Sequence, residues 1–168
     1  MDVFKEQNVT KLQDSRDTAK KVLTALVAIL IASAIFVLTF GSLYMMIGLI
    51  LAGGVMYGGY YLVTSTYVEY EYIITNGEVD FDKIIAQRSR KRLCTVKLGT
   101  ATDFGIANDS ANTENAETYV VATANDPEQK DYFLRVKHKS LGDTVIYFTP
   151  NEEMIELIKQ FLPRTLKV

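Results

Sequence analysis

Between Lys21 and Glu69 the chain carries no Asp, Glu, Lys or Arg, and this gap constrains the fold more than any other feature. Two apolar runs fill it, residues 22–40 and 43–63, separated only by Gly41 and Ser42. At the helical rise per residue they would be helices of roughly 28 and 31 Å, close to the ~30 Å hydrocarbon core of a bilayer. A helix in a soluble core rarely stays apolar on every face over that length. The expected arrangement is a transmembrane helical hairpin with a tight turn, so that both ends leave on one side. A cleaved signal peptide is the rival reading of the first run, because Lys20 and Lys21 precede it and Ala32-Ser33-Ala34 resembles a cleavage site. Against cleavage, the run continues through residues 35–40 with no polar break, and about twenty mixed-charge residues lie before it.

Orientation follows from the basic residues flanking the runs. Lys5, Lys11, Arg16, Lys20 and Lys21 lie before the first run, Lys83, Arg88, Arg90, Lys91 and Arg92 lie after the second, and the turn has none. The positive-inside rule then puts both termini in the cytoplasm of a multi-pass cell-membrane protein. Residues 1–21 are expected to be a separate cytoplasmic segment. Val3, Phe4, Val9 and Leu12 are too few to decide between a short helix at the headgroups and no fixed structure. A net charge of −2 over 168 residues gives no overall drive towards nucleic acid. One cysteine, Cys94, excludes an intrachain disulfide and any multi-cysteine metal site.

After Val63 the apolar period changes from helical to two. Val68, Tyr70, Tyr72 and Ile74 share one face of a half-buried strand, with Glu69 and Glu71 on the other. Asn76-Gly77 is a two-residue hairpin signal, since both residues tolerate φ > 0. That hairpin pairs Ile74 with Val79 and Tyr72 with Phe81, and it also sets Glu71 opposite Asp82, an unfavourable match. Further strands are expected at residues 92–98, 102–106, 118–124, 131–137 and 144–149, and a loop over 108–117. A closing helix is expected over 150–162, with Thr149 as its cap, Glu152 completing a capping box, and Pro163 ending it. The fold class is therefore an α+β membrane protein, with a transmembrane hairpin followed by a β-barrel or sandwich over residues 64–168 and a C-terminal helix.

About seven strands and a closing helix resemble the pleckstrin-homology-like (PH-like) fold. Residues 70–77, TyrGluTyrIleIleThrAsnGly, followed by ArgSerArgLysArg at 88–92, resemble the membrane-anchored bacterial versions of that fold. With PheThrProAsnGlu at 148–152, the whole chain is similar to a family of small bacterial membrane proteins that has no assigned activity. The resemblance implies a membrane-anchored interaction module and supplies no catalytic residues.

The glycines of residues 53–59 lack the context of a phosphate loop, because no Lys-Ser/Thr follows and no strand precedes them. Gly54 and Gly58 instead match small-xxx-small helix packing, as do Gly48 and Ala52, and Ala28 and Ala32 answer them from the first run. These residues either pack the two helices of one hairpin or form a homo-oligomer face. Arg88, Arg90, Lys91 and Arg92 are candidates for contact with anionic headgroups, and solvated edge charges are the plainer reading. No aromatic stacking platform is interleaved with them, so nucleic acid is not an expected partner. Cys94 and His138 are each the sole residue of their kind, and Cys94 alternates with Val96 and Leu98 as a core thiol. Asp80 and Asp82 share an outer strand face without a third metal ligand. No cofactor, metal or catalytic set is expected. The expected function is a non-catalytic module binding a protein partner or the anionic membrane surface. The alternative is an accessory or assembly subunit of a transporter or envelope complex, contacting it through the hairpin.

Overall fold

The computed structural model describes residues 3–107 and 115–166. Most of the loop expected over 108–117 lies outside them. In chain order the elements are β1 (Phe4–Thr10), α1 (Ser15–Thr39), α2 (Met45–Thr64), β2 (Val68–Thr75), β3 (Glu78–Ile85), β4 (Ser89–Lys97), β5 (Ala101–Ile106), β6 (Thr118–Ala122), β7 (Tyr132–His138), β8 (Gly142–Phe148) and α3 (Glu152–Phe161). They divide into two compact units, Met1–Leu12 with Val68–Val168, and Gln13–Tyr67.

The first unit is discontinuous, which corrects the expectation for residues 1–21. Phe4–Thr10 is an edge strand that pairs antiparallel with β2, Val9 lying opposite Tyr70 and Gln7 opposite Tyr72. Of its inward positions only Val9 is buried and apolar. The Gln7 side chain donates to the Thr149 carbonyl at 3.1 Å and accepts from Asn151 N–H at 2.9 Å, and Lys5 pairs with Glu153. A strand held this way by polar contacts leaves no apolar alternation to read. The segment is woven into the β unit, and α1 starts at Ser15, ahead of the expected Val22.

Eight strands among the described residues form two sheets, β1-β2-β3-β4 and β5-β7-β8-β6, with no closed barrel. The first sheet is antiparallel throughout; in the second, β6 runs parallel to β8. The Asn76-Gly77 turn has the expected positive φ values, 48° and 86°, and the β2–β3 register is the one the hairpin requires. Tyr72, Phe81 and Phe148 meet at the centre of the core with ring centroids 5.5, 5.6 and 5.3 Å apart. Edge-on rings at such distances add to the gain from area burial alone. The buried Tyr72 hydroxyl donates to the Ala122 carbonyl and accepts from Thr149 N–H at 3.2 Å, and burial pushes its pKa up.

Thr149 does not cap the closing helix. Its hydroxyl accepts from Ala124 N–H at 2.8 Å and donates to Asp131 at 2.5 Å, satisfying groups inside the core. The cap passes to Asn151, whose side chain accepts from Met154 N–H at 2.8 Å, so α3 begins at Glu152. Met154, Ile158 and Leu162 bury its apolar stripe.

In the second unit, α1 and α2 are long and apolar enough to cross a membrane by length and composition. Large side chains on both are widely exposed, Leu38 at 83% and Ile50 at 73% among them. Ala28 and Ala32 of α1 are buried, as are Gly48 and Gly59 of α2. A Cβ added at Gly59 would lie 2.6 Å from the Ala28 Cβ, and one at Gly48 would lie 2.0 Å from the Thr39 hydroxyl. The close contacts therefore fall at positions 48 and 59, about three helical turns apart, with 52 and 55 half-buried between them. Gly54 and Gly58, expected in the packing face, lie beside it: an added Cβ at either meets nothing within 4 Å. Gly59→Ile is expected to cost about 1–3 kcal/mol by overpacking, while Gly54→Ile leaves the hairpin as stable as the parent. Thermal unfolding in detergent, followed by helical circular dichroism, checks the contrast.

Candidate functional site

The outer face of the first sheet carries a ladder of charge. Glu71 and Asp82 stand opposite each other on β2 and β3, as the hairpin register demands, and are only 4% and 2% exposed. Two like charges placed so would repel, and β4 resolves the conflict. Arg90 pairs with Glu71 and, at 3.3 Å, with Asp82. Arg92 lays its fork on Asp82 at 2.7 and 3.2 Å and reaches Asp80 at 2.8 Å. Thr95 completes the row by donating to Asp80 at 2.6 Å.

A β-bulge makes this possible. The β3–β4 register shifts between Phe81 and Asp82: Phe81 faces Cys94, while Asp82 faces Arg92, leaving Leu93 as the extra residue. Strict alternation from Leu98, Val96 and Cys94 would carry Arg92 and Arg90 into the core. The bulge reverses the phase, so both arginines come out over the carboxylates and Leu93 packs against the core. Of the basic residues singled out from the sequence, Arg90 and Arg92 are thus engaged within the sheet. Arg88 lies in the β3–β4 turn, and Lys91 sits opposite Lys83 on the other face. Sequence reading missed Lys83 as a partner of Lys91. The clash between two arginines and the core alternation was the signal that a bulge, and hence a new facing set, had to exist.

Cys94 and His138 do not form a nucleophile and base. Cys94 is 5% exposed, and burial, with Asp80 and Asp82 adding to it, pushes its thiol up to about 12. His138 has its Nε2 3.2 Å from the Thr95 carbonyl, and its Nδ1 accepts from Ser140 and Leu141 N–H, both at 3.2 Å. The ring thereby fastens the β7–β8 turn to β4. Among the described residues no three His, Cys, Asp or Glu side chains come together as a metal site.

On the second sheet, the Arg135 guanidinium holds the Asp143 carboxyl below its ordinary range. A depressed native pKa means that this pair stabilises the fold above the usual carboxylate pKa and is lost as pH falls through the native value. Asp143→Asn is expected to flatten the acid limb of stability against pH, read from urea midpoints between pH 6 and pH 3.

The chain is thus two four-stranded sheets with a C-terminal helix, and a helical hairpin inserted between β1 and β2. The family model for "Bacterial PH-like domain (DUF6106)" matches residues 1–168, and the chain belongs to that family. Comparison with the curated proteins and with the solved structures found no match.

Proposed function

We propose that this protein is an integral membrane protein whose PH-like unit is a non-catalytic interaction module at the cytoplasmic face. It binds a protein partner or the anionic membrane surface. One observation carries the reading: β1 and β2 are hydrogen-bonded neighbours in one sheet, yet α1 and α2 lie between them in the chain. Whatever separates two paired strands must start and finish on one side of a bilayer, so both helices cross or neither does. Their length, their exposed apolar side chains and the absence of charge from residues 22–68 support crossing. Tyr60, Tyr61 and Tyr67 near the end of α2, with the Lys21 amine 3.5 Å over the Tyr67 ring, suit the headgroup boundary. The lysines and arginines at residues 83–92 favour the cytoplasmic side.

Topology mapping tests this. Lys130→Cys in a Cys94→Ala chain is expected to resist a membrane-impermeant thiol reagent in intact cells and to react after permeabilisation. Labelling in intact cells would put the β unit outside and defeat the assignment.

A second reading, an accessory or assembly subunit contacting its complex through the hairpin, draws on the open positions at Gly53, Gly54 and Gly58. If it holds, Gly54→Leu with Gly58→Leu shrinks the complex isolated from native membranes while leaving the hairpin folded.

A further inference from the structure

The strand register gathers four strand ends at one end of the first sheet. Thr10 at the close of β1 pairs with Glu69, Val68 at the start of β2 pairs with Ile85, and Ile85 pairs with Ser89 at the start of β4. The chain leaves for α1 and returns from α2 at this end, with Val68 only four residues after Thr64. The β3–β4 turn therefore shares the sheet end from which the helices depart, although it lies more than twenty residues beyond α2 in sequence.

At that end, the two faces of the sheet are charged differently. The acids Glu71, Asp80 and Asp82 all lie on the outer face, where Arg90 and Arg92 neutralise them. Glu69 is on that face too, accepting from the Gln87 amide at 3.1 Å. The opposite face carries Lys83, which pairs in register with Tyr70 on one side and with Lys91 on the other. Lys11, one residue past the end of β1, donates its backbone N–H to the Val68 carbonyl at 3.0 Å. Two lysines directly opposite on adjacent strands, with Cβ atoms about 5 Å apart, are a destabilising like-charge pair. Neither Lys83 nor Lys91 has an ion-pair partner among the described residues. A sheet that neutralises its buried acids so fully leaves this pair of like charges unbalanced.

We propose that Lys83 and Lys91 bind the phosphates of anionic phospholipid headgroups at the sheet end from which the helices depart. The proposal rests on the membrane reading above, and it moves the anionic contact away from Arg90 and Arg92. Two unbalanced amines lie on a sheet end joined by four residues to an apolar helix, which favours the leaflet's own phosphates over a soluble anion. The headgroups relieve the Lys83–Lys91 repulsion and thereby stabilise the β unit.

The test uses the full chain in nanodiscs of phosphatidylcholine alone and of phosphatidylcholine with three-tenths phosphatidylglycerol. Labelling of the buried Cys94 by an uncharged thiol reagent reports opening of the β unit. Anionic discs are expected to slow it about thirtyfold, from two basic residues near a charged leaflet, and high salt to erase the difference. Lys83→Gln with Lys91→Gln is expected to abolish the lipid dependence, yet to open no faster than the parent in neutral discs, because the repulsion is gone. A merely structural role would speed opening in both lipids and overturns the proposal. So does loss of the lipid effect in the Lys159→Gln control, or equal protection by inorganic phosphate in neutral discs. A chain that does not float with lipid defeats the membrane reading itself. A chain that floats but labels alike in both compositions defeats this proposal alone.

Discussion

Deletion of residues 3–10 is expected to unfold the β unit and to leave α1 and α2 helical. In sequence the helical hairpin separates these residues from the rest of their unit, so a domain drawn from residues 64–168 would omit them. They supply the first strand of the first sheet, the buried Val9 beside Tyr70, and both Gln7 hydrogen bonds to the start of α3. Without them the inner edge of β2 and the Asn151 cap lose their cover together. Val9→Asp makes the point with one substitution, since it puts an unpaired carboxylate into a 6%-exposed position. Its cost is expected to be about 3–5 kcal/mol, as for other uncompensated buried charges. Gln7→Ala, which removes two bonds of ordinary strength, should cost about 2 kcal/mol. Urea midpoints of the β unit, read by Cys94 labelling, rank the three variants. A deletion chain that protects Cys94 as the parent does would show β1 to be dispensable.

Arg92→Ala is expected to destabilise the β unit by about 3 kcal/mol, near the low end for breaking a buried pair. Asp82 is almost wholly covered, and Arg92 contributes two hydrogen bonds to it and a third contact to Asp80. The arginine is itself half-exposed, so water enters part of the vacated space and limits the loss. Arg92→Lys should recover little, because a point charge cannot match the planar fork on the carboxylate. Asp82→Asn should suppress part of the Arg92→Ala defect by removing a charge that would be left to Arg90 alone. The cycle of single and double variants isolates the coupling, and additive costs would mean that the ladder carries no interaction energy.

How much of this was legible in the sequence depended on whether a segment's neighbours were local. The β2–β3 hairpin was readable to the residue, since Asn76-Gly77 dictates its own register. Strands with clean alternation, such as Tyr132–His138, were readable within a residue or two. The helical hairpin was readable as two apolar helices, and its packing face in part: Ala28, Ala32 and Gly48 are buried as their spacing suggests. Gly54 and Gly58 have the right spacing, yet rotation about the helix axis brings Gly59 against Ala28 instead. β1 was illegible because its inward Lys5 and Gln7 serve contacts almost 150 positions away. Thr149 misled for a similar reason: its local pattern fits a cap, while the core claims its hydroxyl. The basic cluster looked like one surface until the bulge at Leu93 divided it between two faces.

The pairing of β1 with β2 also orders events in time. β1 is synthesised first and then waits while the whole helical segment is made, because its partner follows α2. Until β2 arrives, β1 is a short polar strand with nothing to pair with. If only one helix entered the bilayer, the two strands would be stranded in different compartments and the first sheet would lack its edge. On the membrane reading proposed above, assembly of the β unit is a built-in readout of correct insertion. A chain threaded wrongly would present an unfinished sheet to the cell's proteases instead of a folded domain.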